Sequence, residues 1–313
     1  MRDWLIEQGI GETRLVRVDN DEIVEARVLL DGNVAAGTVL DARLRRVGVP
    51  AVAEAGGAAY LLPGGSPGVT EGSAIRIEVT RERIPGAEPW KRPLARVSDA
   101  EVGEPPLPGE MLTFPSPDDE LEQAGWSDLL DEARSGIVRF AGGELRVSPT
   151  PAMTLIDVDG SLPPHELAVA GARAAARVIM RHGIGGSIGI DLPTIAGKAQ
   201  RQAIAEAVDA ILPQPFERTA VNGFGFLQIV RPRRHASLFE LAADRAAFEA
   251  RALLRRAAVE RTGATALVAH PAVISVLEAQ PGWLDALARQ VGGVVRLQAD
   301  ARLPISGAYA QPD

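Results

Sequence analysis

Thr154-Leu155-Ile156-Asp157-Val158-Asp159-Gly160-Ser161 and, one helical stretch later, Gly185-Gly186-Ser187-Ile188-Gly189-Ile190-Asp191 frame the centre of the chain. Each is a short apolar run that ends in a carboxylate. The Ala- and Arg-rich segment between them reads as one helix, opened by Pro163-Pro164 and reaching about His182, with Ser161 as the expected N-cap. A β-α-β unit of this length closes right-handed and lays its two strands parallel. Asp157, Asp159 and Asp191 then share one edge of a sheet. On extended backbone Asp157 and Asp159, two apart, leave the same face. Grouped carboxylate oxygens suit Mg²⁺, which takes one or two carboxylates and leaves its other positions to water and phosphate. The plain alternative is that acids at strand ends cap the helices that follow them.

Composition narrows the field around this unit. The 313 residues allow two or three compact units, and 46% hydrophobic with 24% charged residues is ordinary for a globular protein. A net charge of -8 speaks against broad charge-driven binding of nucleic acid, although not against a local basic patch. With no cysteine there is neither a disulfide nor a thiolate metal site. An early acid and no long apolar core argue against a signal peptide at the N-terminus, and no run approaches the roughly 20 apolar residues of a membrane span. A soluble, cytoplasmic protein without membrane attachment is the expectation.

Upstream, residues 13–18 and 22–30 alternate as strands around the turn Asp19-Asn20-Asp21. Runs at 37–47, 51–55, 58–62 and 73–80, broken by Gly and Pro, suggest a small barrel or sandwich; a five-stranded OB-type barrel would fit, and a purely structural β domain is the plain alternative. Residues 84–125, rich in proline from Pro85 and Pro89 to Pro117, read as a strand-poor connection. A short helix at 126–134 and a hairpin across Ala141-Gly142-Gly143 lead into the central unit. Downstream, a helix at 198–211 and a strand at 224–230 run into Arg231-Pro232-Arg233-Arg234-His235. One long helix at 238–261, a strand at 266–269, helices at 271–278 and 283–291 and a strand at 294–297 form a small α/β module. The fold class is thus mixed α/β.

Basic groups stand where a phosphate ligand would want them: Lys198 and Arg201 open the helix after Asp191, and Arg231 and Arg233 follow a strand. A solvated charged edge is the simpler reading of the same residues. Gly185-Gly186-Ser187-Ile188-Gly189 matches G-x-S-x-G, but a serine hydrolase elbow needs a strand before the serine and a helix after it, the reverse of the order here. The four histidines lack zinc spacing and read as surface residues.

On these residues the chain resembles the ribonuclease E/G family of endoribonucleases. Ile156-Asp157-Val158-Asp159-Gly160 is similar to the family's I-D-V-N-[ST]-G. The 185–191 stretch is similar to its G-G-[LI]-[IV]-V-I-D-F, and Phe224-Gly225-Phe226-Leu227-Gln228-Ile229-Val230-Arg231 to its F-G-[LI]-[LV]-E-[MI]-[TS]-R. The resemblance implies Mg²⁺-dependent hydrolysis of single-stranded RNA, with Asp157 and Asp191 as metal ligands and Asp159 assisting in the position of a family asparagine. Lys198, Arg201, Arg231 and Arg233 would contact phosphate. It also implies an OB-type RNA-binding barrel at 37–83, inserted in an RNase-H-like and DNase-I-like core. The remaining division is 1–36 (first RNase-H-like part), 84–135 (reduced sensor region), 136–237 (catalytic core) and 238–313 (small domain).

The departures are specific. The zinc-linking cysteines are missing, so a homo-oligomer would have to form without them. Asp159 adds charge where the family has an amide, Thr194 replaces a second acid, and Val52 replaces a phenylalanine. Tyr60 is left as the stacking aromatic of the barrel. A non-catalytic RNA-binding relative is the alternative, and an OB-type module with a protein partner stands behind it.

Overall fold

The computed structural model describes residues 4–86 and 91–313, so Pro89 and the first three residues lie outside the described part. The fold is mixed α/β with a closed five-stranded barrel. It divides into two compact units. The first gathers Met1–Asp31, Pro108–Ser135 and Leu241–Asp313; the second gathers Gly32–Leu107 and Gly136–Glu240.

Strands β1 (Leu5–Gln8), β2 (Glu12–Asp19) and β3 (Glu22–Leu30) form an antiparallel meander. Its second turn uses Asn20 and Asp21 at φ 51° and 62°, the left-handed region that these residues tolerate best after glycine. The barrel comprises β4 (Val39–Arg46), β5 (Ala51–Ala55), β6 (Ala58–Leu62), β7 (Ala74–Arg81) and β8 (Leu94–Val97), ordered β4-β5-β6-β8-β7 and closed by pairing of β7 with β4. That order is consistent with an OB-type barrel. Leu44, Ala53, Tyr60, Leu62, Ile77 and Ala95 fill its interior.

The stretch after residue 83 departs from the sequence reading in part. It is poor in strands, as read, but it supplies one that closes the barrel, β8, with Ala95 buried inside and Pro93 just before the strand, where the missing N–H costs no ladder bond. Further on, β9 (Glu110–Met111) adds to the N-terminal sheet beside β1, and α1 (Glu120–Gln123) and α2 (Trp126–Ser135) belong to the first unit. Residues 84–135 are therefore shared between the two units.

The central sheet contains β10 (Ile137–Phe140), β11 (Gly143–Pro149), β12 (Thr154–Gly160), β13 (Gly186–Asp191), β14 (Glu217–Arg218) and β15 (Phe226–Arg231), in the order β10-β11-β12-β13-β15-β14. Helices α3 (Pro164–Arg181) and α4 (Lys198–Asp209) supply its apolar cover. Ile156, Val158, Ile188, Ile190, Leu227 and Ile229 share one core with Ala172, Ala175, Ile179, Ile204 and Val208. The parallel β12–β13 pair expected from the β-α-β spacing is present. The first strands and the 137–149 hairpin lie in different sheets: β1–β3 form one with β9, which pairs with β1, whereas β10 and β11 extend the sheet of β12.

The C-terminal part runs through α5 (Leu238–Ala243), α6 (Arg245–Glu260), β16 (Thr265–Ala269), α7 (Pro271–Glu278), α8 (Pro281–Val291), β17 (Val295–Ala299) and β18 (Tyr309–Pro312). The single helix expected at 238–261 breaks at Asp244, whose carboxylate accepts the Ala247 N–H and starts α6 afresh. Buried Arg251 and Arg255 of α6 pair with Glu12 at 3.0 Å and with Glu7 at 2.9 Å. Such a pair holds because both charges are met; loss of one partner strands the other in a dry interior. Among the described residues no helix is long and apolar enough to cross a membrane.

Candidate active site

Strand β12 alternates strictly. Thr154, Ile156 and Val158 are buried, while Leu155, Asp157 and Asp159 are exposed on the opposite face. The register then builds a row across four strands: Arg146 opposes Asp157, Asp157 opposes Asp191, and Asp191 opposes Phe226. Register partners on adjacent strands lie about 5 Å apart and point to the same side. The row therefore reads cation, carboxylate, carboxylate, aromatic, on the face away from the α3–α4 core.

The two aspartates are not helix caps. The N-cap positions of α3 and α4 are Pro163 and Gly197, and neither helix has a side-chain cap bond. Ser161, expected to cap α3, does not. Partial desolvation, and then the negative charges of Asp159 and Asp191, hold the Asp157 carboxyl above its ordinary value, while Arg146 offsets this weakly. Arg146 itself bonds Glu144 at 2.8 Å. Like charges set side by side with so little neutralisation form a site for which a cation is the natural counterpart. Two carboxylates with open positions fit Mg²⁺. Among the described residues no three acidic or histidine side chains group closely enough to hold an ion together. Asp159 lies one pleat further on, opposite Glu144, and acts on Asp157 through charge.

The predicted basic residues separate. Lys198 is exposed at the first turn of α4, which starts from the loop following Asp191 and so lies at the carboxylate end of the sheet. Arg201 is engaged nearby, donating to the Ile195 and Ala196 carbonyls at 2.9 and 2.6 Å, and so pins that loop. Arg231 and Arg233 do not belong to the site. Because β15 runs antiparallel to β13, Arg231 opposes Gly186, five residues and about 17 Å from the Asp191 row. There it donates to the Ile184 carbonyl, and Arg233 is paired with Glu240. Tyr60 is 2% exposed inside the barrel, so it is not the open stacking aromatic the sequence suggested; it shares its inward face with Leu62. Its edge reaches a cleft of about 470 Å³ lined also by Arg83, Lys91 and Arg92. His182, read as a surface residue, is fully buried against Phe239.

Sequence reasoning missed Arg146 and Phe226. The signal for Arg146 was the alternation Glu144-x-Arg146-x-Ser148 just before a tight turn into β12, which fixes the hairpin register. Phe226 was visible only as part of an apolar strand. No protein-family model matches this chain, and no curated protein matches it, so the site stands on its own geometry.

Proposed function

We propose that this chain is a Mg²⁺-dependent endoribonuclease of the ribonuclease E/G type, hydrolysing phosphodiester bonds in single-stranded RNA. The observation that carries this reading is the register pairing of Asp157 with Asp191 on an open sheet face, with neither acid capping a helix. Mg²⁺ held by these two carboxylates would supply an activated water and neutralise charge developing on the phosphodiester. The protein's own groups do the rest. Lys198 and the uncapped first-turn N–H groups of α4 attract the phosphate at the same end of the sheet. Arg146, next to Asp157, orients an anionic oxygen. Asp159 adds negative potential without completing a three-acid cage. The barrel cleft with Arg83, Lys91 and Arg92 supports RNA binding upstream of the chemistry. The finer fold, an OB-type barrel inserted in an RNase-H-like and DNase-I-like core, belongs to this same proposal.

One observation favours a second reading, a non-catalytic RNA-binding relative: Asp159 puts a carboxylate where the family the chain resembles has an amide, and its charge bears directly on Asp157. Incubating a fluorescent single-stranded RNA with the purified protein, in Mg²⁺ or in EDTA, separates the two. Mg²⁺-dependent cleavage that disappears in Asp157→Ala and Asp191→Ala is expected. Cleavage that survives both substitutions overturns the catalytic assignment, and binding without cleavage selects the second reading.

A further inference from the structure

The row across the sheet ends in an aromatic ring, and a second aromatic stands just before it in the chain. Phe226 is the register partner of Asp191. Its ring lies over Gly189 so closely that a Cβ there would sit 2.4 Å from its Cζ, with Leu155 beside it. Phe224, two residues earlier, is 84% exposed, the most open of the large apolar side chains among the described residues. An exposed phenylalanine gains nothing for folding, and yet its backbone is held on all sides. The Phe224 N–H and the Phe226 N–H both donate to Asn222 Oδ1, at 2.9 and 3.0 Å. Thr194 Oγ1 donates to the Phe224 carbonyl at 3.3 Å. Gly225 takes φ 94°, and a Cβ there would meet the Leu192 carbonyl oxygen at 2.1 Å. Since Leu192 and Thr194 follow directly on Asp191, the loop that presents Phe224 is clamped to the strand end that carries the carboxylate.

We propose that Phe224 is a base-stacking platform, with Phe226 and Leu155 as its apolar floor, that receives an unpaired base next to the phosphate at the Asp157–Asp191 pair. This rests on the reading of that pair as the phosphodiester site. It also sharpens the substrate: the nucleotide beside the reacting phosphate must be unstacked, which a single strand allows and a duplex resists. Every base has a π-face, so the platform positions the strand without selecting a sequence. Its occupant is a nucleobase because the loop that carries the ring is bonded to the segment directly after Asp191, the proposed phosphate site, where an apolar protein surface would have to desolvate two aspartates in order to dock.

The test uses the full chain in Mg²⁺ with a short single-stranded RNA carrying one 2-aminopurine, and with its duplex. Stacking on Phe224 should quench the 2-aminopurine on binding, with the duplex bound more weakly. Phe224→Ala should lose the quench and weaken binding on the order of 5- to 100-fold. Phe224→Tyr should restore both, and Phe224→Leu should restore neither. As the ring is exposed, these variants should keep the parent's thermal melt. Full quench and affinity in Phe224→Ala, full rescue by Phe224→Leu, or absence of RNA binding by the parent each overturns the platform. So does a Phe224→Ala variant whose only change is its oligomeric state, which would make the ring a protein contact. The two readings fail separately: cleavage that ignores Asp157→Ala removes the catalytic assignment and leaves the quench to decide the platform.

Discussion

In the proposed reaction most of the chemistry turns on Asp157, and its environment makes a thermodynamic statement of its own. Its folded-state carboxyl is held above the ordinary value by desolvation, Asp159 and Asp191, so its ionisation weakens the fold as pH rises through that raised pKa. Replacing the charge while keeping the shape should therefore help the metal-free protein. In EDTA, Asp157→Asn should melt slightly above the parent. Mg²⁺ should raise the melting temperature of the parent and leave that of the variant where it was; an equal rise in both would remove Asp157 from the ion's ligands. The two aspartates were legible in the sequence because each closes a short apolar run in a β-α-β spacing. Arg146 was not, since its place beside Asp157 depends on a hairpin register. Arg231 and Arg233 were misplaced for a related reason. Residues after a strand reach the carboxylate edge only if that strand is parallel to its neighbour, and β15 is antiparallel to β13.

Elements were read better than their ends. Strands β5 and β6 and helix α7 fall where alternation, turn glycines and an N-terminal proline put them. What failed was decided by contacts distant in sequence: β8 exists because β6 and β7 leave a gap for it, and β1 because β2 and β9 flank it. Helix α4 is tied at its far end to the two-residue edge strand β14, where Arg218 Nε donates to Asp209 Oδ1 at 2.7 Å. That bond is the main cause holding the Asp209 carboxyl below 3.8. The folded pKa is the lower one, so the pairing contributes stability above about pH 4 and loses it as pH falls through the folded value. A carboxyl-carbon titration should place the Asp209 midpoint below 3.8, and Arg218→Gln should bring it back up. An unchanged midpoint in that variant would show that the pair does not govern the shift.

At the scale of the molecule, the first unit is assembled from three separated segments, and the buried pairs Glu7–Arg255 and Glu12–Arg251 join the earliest strands to α6. Nothing in a local pattern announces this, because each segment alone reads as an ordinary strand or helix. Ending the chain after Glu240 would leave Glu7 and Glu12 without the arginines of α6. In that truncated chain hydrogen exchange should find β1–β3 unprotected while β4–β7 remain protected. Comparable protection of both would mean that the meander folds without its C-terminal partner. The same arrangement sets a timetable for a chain made from its N-terminus. The opening strands bring one counter-ion of their own, Arg14, which pairs with both Glu7 and Glu12, but they leave the ribosome long before Arg251 and Arg255 exist, and the whole second unit can be completed while they wait. Their acidic side chains then have a use while still unfolded: a solvated, charged nascent segment resists aggregation until α6 emerges to close over it.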